Sequence, residues 1–251
     1  MNVPGLIAEG SPPRYFRFAG LAALGLPHLT TTRHFPGVTP SAQRSGPFDE
    51  QARETLAGAG LDFSRLSYVR QVHGADVATA PAGGGFAGDA DVLTTTERGV
   101  PLAIFAADCL PIVLWDPDVT ALAAAHVGWR GTVAGAQRAA VEALAALGGR
   151  PVRMRVVIGP SIGPCCYEVD GPVIADFTAA YGARAAAWMQ PARPGHVMLD
   201  LWTANEALLQ DAGVRSSHIE NPRLCTACHT DLLYSYRMGH RGRLVTVAAL
   251  V

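Results

Sequence analysis

The stretch Val100-Pro101-Leu102-Ala103-Ile104-Phe105-Ala106-Ala107-Asp108-Cys109-Leu110-Pro111-Ile112-Val113-Leu114-Trp115-Asp116-Pro117-Asp118-Val119-Thr120-Ala121-Leu122-Ala123-Ala124-Ala125-His126 decides how the chain is read. It is apolar from Val100 to Trp115 except at Asp108-Cys109 and Pro111. It turns at Asp116-Pro117-Asp118 and resumes as the small-residue run Ala121 to His126. Apolar runs bounded by turn residues read as buried strands. A four-residue loop with Trp115 opposite Thr120 would make paired residue numbers sum to 235, which sets Cys109 opposite His126. Directly opposed side chains have Cβ atoms about 4.5–5.5 Å apart on one face. A thiol and an imidazole so placed can form a nucleophilic dyad or bind one metal ion. They can equally be a buried cysteine beside a hydrogen-bonded histidine.

Working outward, a short helix is expected at Glu50 to Ala57. Strands are expected at Ser67 to Val72, Val77 to Ala80, Asp91 to Thr94, Val152 to Ile158, Val197 to Leu201 and Leu244 to Val251. A helix should begin near Thr132, with Val133, Ala136, Ala140, Val141, Leu144 and Leu147 on one stripe and Gly148-Gly149 ending it. Further helices are expected at Val173 to Ala180 and Thr203 to Asp211, and Pro/Gly/Ser-rich loops at residues 36–50 and 81–89. Strands outnumber helices and adjoin in hairpin-like pairs. The expected fold class is therefore α+β, with layered mixed sheets flanked by helices, rather than a doubly wound parallel sheet.

The charge set narrows the chemistry. All 20 basic residues are Arg, against 21 acidic ones, for a formal net charge of −1. With no Lys there is no P-loop lysine, no Schiff-base lysine and no Ser-Lys dyad. Anions must be met by Arg forks, backbone N–H groups, hydroxyls or a metal. Near-neutral charge argues against a broad nucleic-acid face. No apolar run has the roughly 20 residues a membrane helix needs, and the N-terminus lacks the pattern of a signal peptide. A cytoplasmic protein is expected, whose five Cys are thiols or metal ligands rather than disulfides.

Other segments add candidates. Gly128-Trp129-Arg130-Gly131-Thr132 runs into a helix, and its free N–H groups with Arg130 could hold an anion. His73 ends a strand before Gly74. Alone it reads as structural, but with Cys109 and His126 it would complete three zinc ligands and leave an open position. Cys225-Thr226-Ala227-Cys228-His229 matches a haem-attachment pentapeptide, which is rejected because export is not indicated. A zinc site there would need a second Cys pair, and the adjacent Cys165-Cys166 is read as a poor one. Eight His without a His-x-His pair argue against laccase-type copper chemistry.

Several blocks together resemble the YfiH-type laccase-domain family: Arg33 in Thr-Thr-Arg; Gln71-Val72-His73-Gly74; Asp89-Ala90-Asp91; Ala107-Asp108-Cys109-Leu110-Pro111-Ile112; His126-Val127-Gly128-Trp129-Arg130-Gly131; Gly159-Pro160 through Cys165-Cys166-Tyr167-Glu168-Val169; Cys225-Thr226; and Ser235-Tyr236-Arg237. The resemblance runs from about Arg33 to the C-terminus and implies a single domain over residues 1–251. This chain departs from the family pattern in a short loop after Gly37, in Val127 and in Met238-Gly239.

The resemblance implies one metal, usually zinc with copper as the alternative, held by His73, Cys109 and His126. It also implies a purine nucleoside phosphorylase that cleaves adenosine, inosine or methylthioadenosine with phosphate, with adenosine deaminase side activity. Cys109, His126 and Asp108 are the expected catalytic groups, Asp108 as the carboxylate available for proton transfer. Arg33, Gln71, Arg130, Thr132, Cys225, Thr226 and Arg237 are the expected contacts to nucleoside and phosphate. Small molecules, not nucleic acid or membrane, are the expected partners. Competing readings are a Cys-His hydrolase of amides or esters, such as one editing peptidoglycan precursors, a copper-dependent polyphenol oxidase, and a non-catalytic binding module.

Overall fold

The computed structural model describes residues 3–38 and 48–251. Of the loop expected at residues 36–50, residues 39–47 lie outside the described residues. Two mixed sheets stack face to face. The first has seven strands, in the order Leu6–Glu9, Tyr15–Phe18, His28–Thr31, Leu244–Ala248, Leu102–Ala106, Ser67–Arg70 and Gly85–Asp89. The second has six, in the order Ile219–Glu220, Arg155–Ile158, Leu110–Trp115, Leu122–Val127, Val92–Thr95 and Val77–Thr79. A small third sheet joins Glu168–Val169, Val197–Leu199 and Met189–Pro191. The fold is α+β, as expected.

Side-chain alternation explains the layering. Along Leu110–Trp115, Val113 points toward the first sheet and packs with Leu102, Ile104, Leu122 and Ala124. Its neighbours Ile112 and Leu114 point the other way, onto helices Ala136–Ala146 and Leu201–Asp211. On the outer face of the first sheet, Phe105 and Val245 pack on helix Glu50–Ala57 through Ala52 and Leu56. Strands covered on both faces need apolar residues throughout, which is why these read as near-continuous hydrophobic runs. The small side chains of Ala123 and Ala125 let helix Ala136–Ala146 lie close to the sheet.

The apolar run from Val100 to Trp115 is two strands in two different sheets. Leu102–Ala106 belongs to the first and Leu110–Trp115 to the second, so Ala107-Asp108-Cys109 is the crossing between layers. The hairpin register also differs from the expected one. Trp115 pairs with Leu122 and Pro111 with His126. The cause is Asp116. Its buried side chain accepts hydrogen bonds from the Asp118 N–H (3.1 Å) and the Arg150 N–H (2.7 Å), widening the loop to residues 116–121. A two-residue shift preserves which face each side chain occupies. Cys109, just outside the strand, therefore stays on the His126 face, but the residue across from it is Gly128.

The expected helix near Thr132 begins earlier and is two helices. Trp129–Ala134 starts behind Gly128, and Ala136–Ala146 follows a break at Gly135 (φ +85°), a left-handed conformation that glycine adopts at little cost. The N-terminal strands and Gly85–Asp89 were not expected from the sequence. The helix at Glu50–Ala57 has the expected bounds, capped by Asp49, whose carboxylate accepts from the Ala52 N–H.

Candidate metal centre

One end of the two sheets gathers the chemistry. His73 follows strand Ser67–Arg70, Cys109 ends the crossing from Leu102–Ala106, and His126 lies near the end of Leu122–Val127. The ligand atoms of these three side chains all lie within 4.8 Å of one another. The rings of His73 and His126 stand edge to face, with centroids 4.8 Å apart. Two of the three segments carry left-handed backbone at non-glycine residues, His73 (φ +64°) and Asp108 (φ +89°). Such conformations cost roughly 1–3 kcal/mol each and persist where surrounding contacts impose them. Here the turn at His73 aims an imidazole, and the turn at Asp108 delivers the next residue, Cys109.

Asp91 organises this arrangement, and sequence reasoning assigned it no role. It is fully buried, at 0 % exposure. Its Oδ1 lies 2.8 Å from His126 Nδ1, and its Oδ2 accepts from the backbone N–H groups of Gly74 (2.7 Å) and Val72 (3.1 Å). One carboxylate thus fixes the ring of one histidine and the turn carrying the other. The signal available in the sequence was an acidic residue at the head of an apolar strand, since a buried charge needs partners. Gly128, expected only as part of a helix entry that could hold an anion, also makes room for Cys109. A Cβ there would stand 2.7 Å from Cys109 Sγ, so only glycine permits the thiol its position.

Burial pushes the Cys109 thiol up, but His126 and His73 more than offset it and bring its pKa to about 6. Burial pushes His126 down, while the Cys109 thiolate and Asp91 raise it to about 9. Burial raises Asp91, yet the His126 bond and its backbone donors hold it below the usual carboxylate range. Without metal, Cys109 and His126 form a thiolate–imidazolium pair near neutral pH. The donor set fits a zinc-like ion. It offers a thiolate and two imidazoles, one of them oriented through its far nitrogen by a carboxylate, as metal-ligating histidines usually are.

The other expected residues divide into those near the crossing and those tied up elsewhere. The Asp108 carboxylate accepts from the Thr226 hydroxyl (2.6 Å) and the Arg237 N–H (2.7 Å), drawing two distant loops to the crossing. The Arg237 guanidinium stacks 5.2 Å over Tyr167 and donates to the Glu168 carbonyl (2.9 Å). Arg33 donates to the Thr230 carbonyl and lies 5.3 Å over Tyr234. Both amide atoms of Gln71 bond the backbone of Phe105, at 2.6 and 2.8 Å. Thr132 is fully buried, its hydroxyl donating to the Gly128 carbonyl and accepting from Asn205. The helix start expected there lies instead at Trp129-Arg130-Gly131. Arg130 is exposed, lies 4.3 Å over the Trp129 ring and makes no ion pair among the described residues. Cys225 is buried and accepts from the Gly163 N–H at 3.2 Å.

The cysteine pair dismissed as a poor partner for Cys225 and Cys228 does meet them. Cys165 Sγ and Cys166 Sγ each lie 3.4 Å from Cys228 Sγ, and all four thiols lie within 4.8 Å of one another. The turn beginning at Gly163, closed by the Cys166 and Tyr167 N–H groups on its carbonyl, presents both adjacent thiols to one point. Among the described residues no helix is long and apolar enough to cross a membrane.

Residues 48–251 match the family model described as multi-copper polyphenol oxidoreductase laccase. A purine nucleoside phosphorylase of Deinococcus radiodurans is 37 % identical over 239 residues, covering 90 % of both chains. An adenosine deaminase, RL5, from an unknown prokaryotic organism is 33 % identical over 78 % of this chain and 79 % of its own. The crystal structure of YlmD from Geobacillus stearothermophilus superposes with a TM-score of 0.83 at 28 % identity, covering 98 % of this chain and 99 % of that one.

Proposed function

The chain belongs to the multi-copper polyphenol oxidoreductase laccase family, and from that premise we propose that it is a zinc-dependent purine nucleoside phosphorylase with adenosine deaminase side activity. Adenosine, inosine and methylthioadenosine are its substrates in this reading. The relatives' names support the substrate class. The observation that carries the proposal is the convergence of His73, Cys109 and His126 within 4.8 Å, with Arg130, in no ion pair among the described residues, two positions after Gly128, where a Cβ would stand 2.7 Å from Cys109 Sγ.

His73, Cys109 and His126 would hold the ion. Zinc with an open position supplies Lewis acidity and lowers the pKa of bound water toward about 7. The protein's own groups do the positioning. Arg130, planar and steadied by Trp129, takes the phosphate. Arg33 and Arg237, each already held by carbonyl oxygens, are assigned to the substrate's anionic groups in this reading. In phosphorolysis a phosphate oxygen bonds to C1′ as the bond from C1′ to the purine breaks, and the leaving purine nitrogen takes a proton. Asp108, its orientation set by Thr226 and the Arg237 backbone, is the carboxylate assigned to that exchange, since Asp91 is committed to His126 and two backbone N–H groups. Gln71 clamps the Phe105 backbone, Thr132 holds the Gly128 carbonyl, and Cys225 accepts from the Gly163 N–H, so in this reading they position the segments around the substrate. The chain acts as one domain in this proposal, since both sheets share a single apolar layer. It acts on small molecules in the cytoplasm, where its five cysteines stay reduced.

The test is phosphate-dependent release of free base from adenosine by metal-replete protein. Cys109→Ala is expected to abolish it, and an unchanged rate would sink the site assignment. The thiolate–imidazolium pair favours a second reading, a Cys-His hydrolase. In that case substrate, rather than zinc alone, would protect Cys109 from alkylation.

A further inference from the structure

Four of the five cysteines form a group separate from His73, Cys109 and His126, and no bond-making step of the proposed reaction runs through their thiols. They come from two segments about 60 residues apart, yet their sulfurs gather at one point. We infer that Cys165, Cys166, Cys225 and Cys228 form a second, thiolate-only site for a soft d10 cation, zinc or copper(I).

Spacing, donors and surroundings support this. Four sulfurs about a zinc ion at Zn–S of about 2.3 Å stand roughly 3.8 Å apart. Here two contacts measure 3.4 Å and none of the four thiols is more than 4.8 Å from another. Small rotations of two exposed side chains, Cys165 and Cys228, would even out those distances. Cys225, the buried member, already accepts a hydrogen bond from the Gly163 N–H at 3.2 Å, a bond that favours sulfur in its anionic form. The positive Arg237 guanidinium is anchored on the carbonyls of Cys166 and Glu168, close enough to offset the excess negative charge of a tetrathiolate. Soft thiolate donors select zinc and copper(I) over harder ions. Binding is an exchange in which the cation enters and the thiol protons leave to solvent, with no change of oxidation state.

The site would also brace the other centre. The Cys225 segment forms a parallel bridge with Ser161, and Ile162 donates its N–H to the Asp108 carbonyl at 2.9 Å. Thr226, between the two cysteines of the pair, donates its hydroxyl to the Asp108 carboxylate. A cation joining the two segments would fix the loop that positions Asp108, the residue preceding Cys109.

The inference does not depend on the proposed reaction, and its test reads metal rather than turnover. Intact protein, purified with reductant, is saturated with zinc in one arm and with copper(I) in the other. Competing chelator then removes loosely held ions, and bound metal is counted by mass spectrometry. Wild-type protein should retain two equivalents in at least one arm. Cys165→Ser and Cys228→Ser should each retain one. His126→Ala should also retain one, and cobalt substituted into it should show the absorption of a tetrathiolate. Both cysteine positions are exposed, which limits the risk to folding. A wild-type protein that holds one equivalent in both arms, with Cys228→Ser unchanged, overturns the site. So does a disulfide joining Cys228 to Cys165 or Cys166 that forms despite saturating zinc and copper(I).

Discussion

At the His73–Cys109–His126 group each donor sits at the end of a different strand, whereas the four-cysteine group is made by two turns at the surface. The first mixes thiolate and imidazole, and a buried carboxylate holds two of its three segments. The second has one donor type, and three of its four members are at least partly exposed. The first accepts left-handed backbone at His73 and Asp108, while none of the four clustered cysteines has a positive φ. The contrast matches two uses of a metal site. A site that must leave a position open needs a few donors held rigidly from behind. A closed site needs only enough donors, because the ion itself supplies the rigidity.

Asp91 is the sharpest place to break that contrast. In Asp91→Asn one oxygen becomes an amide N–H₂, which must face either His126 Nδ1 or the N–H groups of Val72 and Gly74. One set of donors then loses its acceptor whichever way the amide turns. Zinc affinity at the three-residue centre should fall by roughly 10–100-fold, as for other residues that orient ligands from behind. Competition against a chromophoric chelator measures it, and the four-cysteine group should keep its metal. Equal weakening at both places would mean that Asp91 supports the fold and not the centre.

Much of this was legible in the sequence and some could not be. The strands Ser67–Arg70, Val92–Thr95, Leu102–Ala106, Leu110–Trp115 and Leu122–Val127 were readable because burial on both faces leaves few polar interruptions. Cys109 and His126 could be put on one face because that depends on alternation, which survived the two-residue error in register. The register itself depended on where the Asp116 side chain points, a tertiary contact with Arg150 that no local pattern encodes. The short N-terminal strands Leu6–Glu9 and Tyr15–Phe18 lie at a sheet edge and carry polar residues. Gly85–Asp89 hides in a glycine-rich stretch. The cysteine cluster was out of reach because its halves are joined by tertiary contacts, the bridge between Ser161 and Cys225 and the Gly163 N–H on Cys225. Judged by spacing alone, the adjacent pair looked unsuitable.

A smaller effect is expected at Gly128. Its φ of −88° is open to any residue, so Gly128→Ala adds no backbone strain. What it adds is a methyl 2.7 Å from Cys109 Sγ and 3.6 Å from His73 Cδ2. Because a side-chain end can shift, the loss of stability in denaturant unfolding should be near the lower end for overpacking, about 1 kcal/mol. The diagnostic result is a weaker three-residue centre with the four-cysteine group unaffected. A fall of 3 kcal/mol or more, roughly the upper end for such changes, would show that Gly128 is needed by the fold at large.

The faintest signal, and the one that separates the two groups without mutating either, is thiol reactivity in the reduced, metal-free protein. The depressed Cys109 value means that its ionic contribution holds above the ordinary thiol range and is lost as pH falls through about 6. The raised His126 value means that its contribution holds below the ordinary imidazole range and is lost as pH rises through about 9. Between those limits both are charged, and Cys109 is a thiolate at pH 7.5. Burial and the adjacent Cys228 thiol push Cys165 and Cys166 the other way, so they stay protonated there. Since the thiolate is the reactive form, iodoacetamide at pH 7.5 should modify Cys109 before Cys165 or Cys166, as read by peptide mass spectrometry. The Cys109 rate should halve near pH 6. In His126→Ala that midpoint should climb toward the ordinary thiol value, because the largest charge favouring the thiolate is gone. Faster labelling of Cys165 or Cys166 than of Cys109 in wild-type protein would erase the electrostatic difference between the two groups and leave only the difference in exposure.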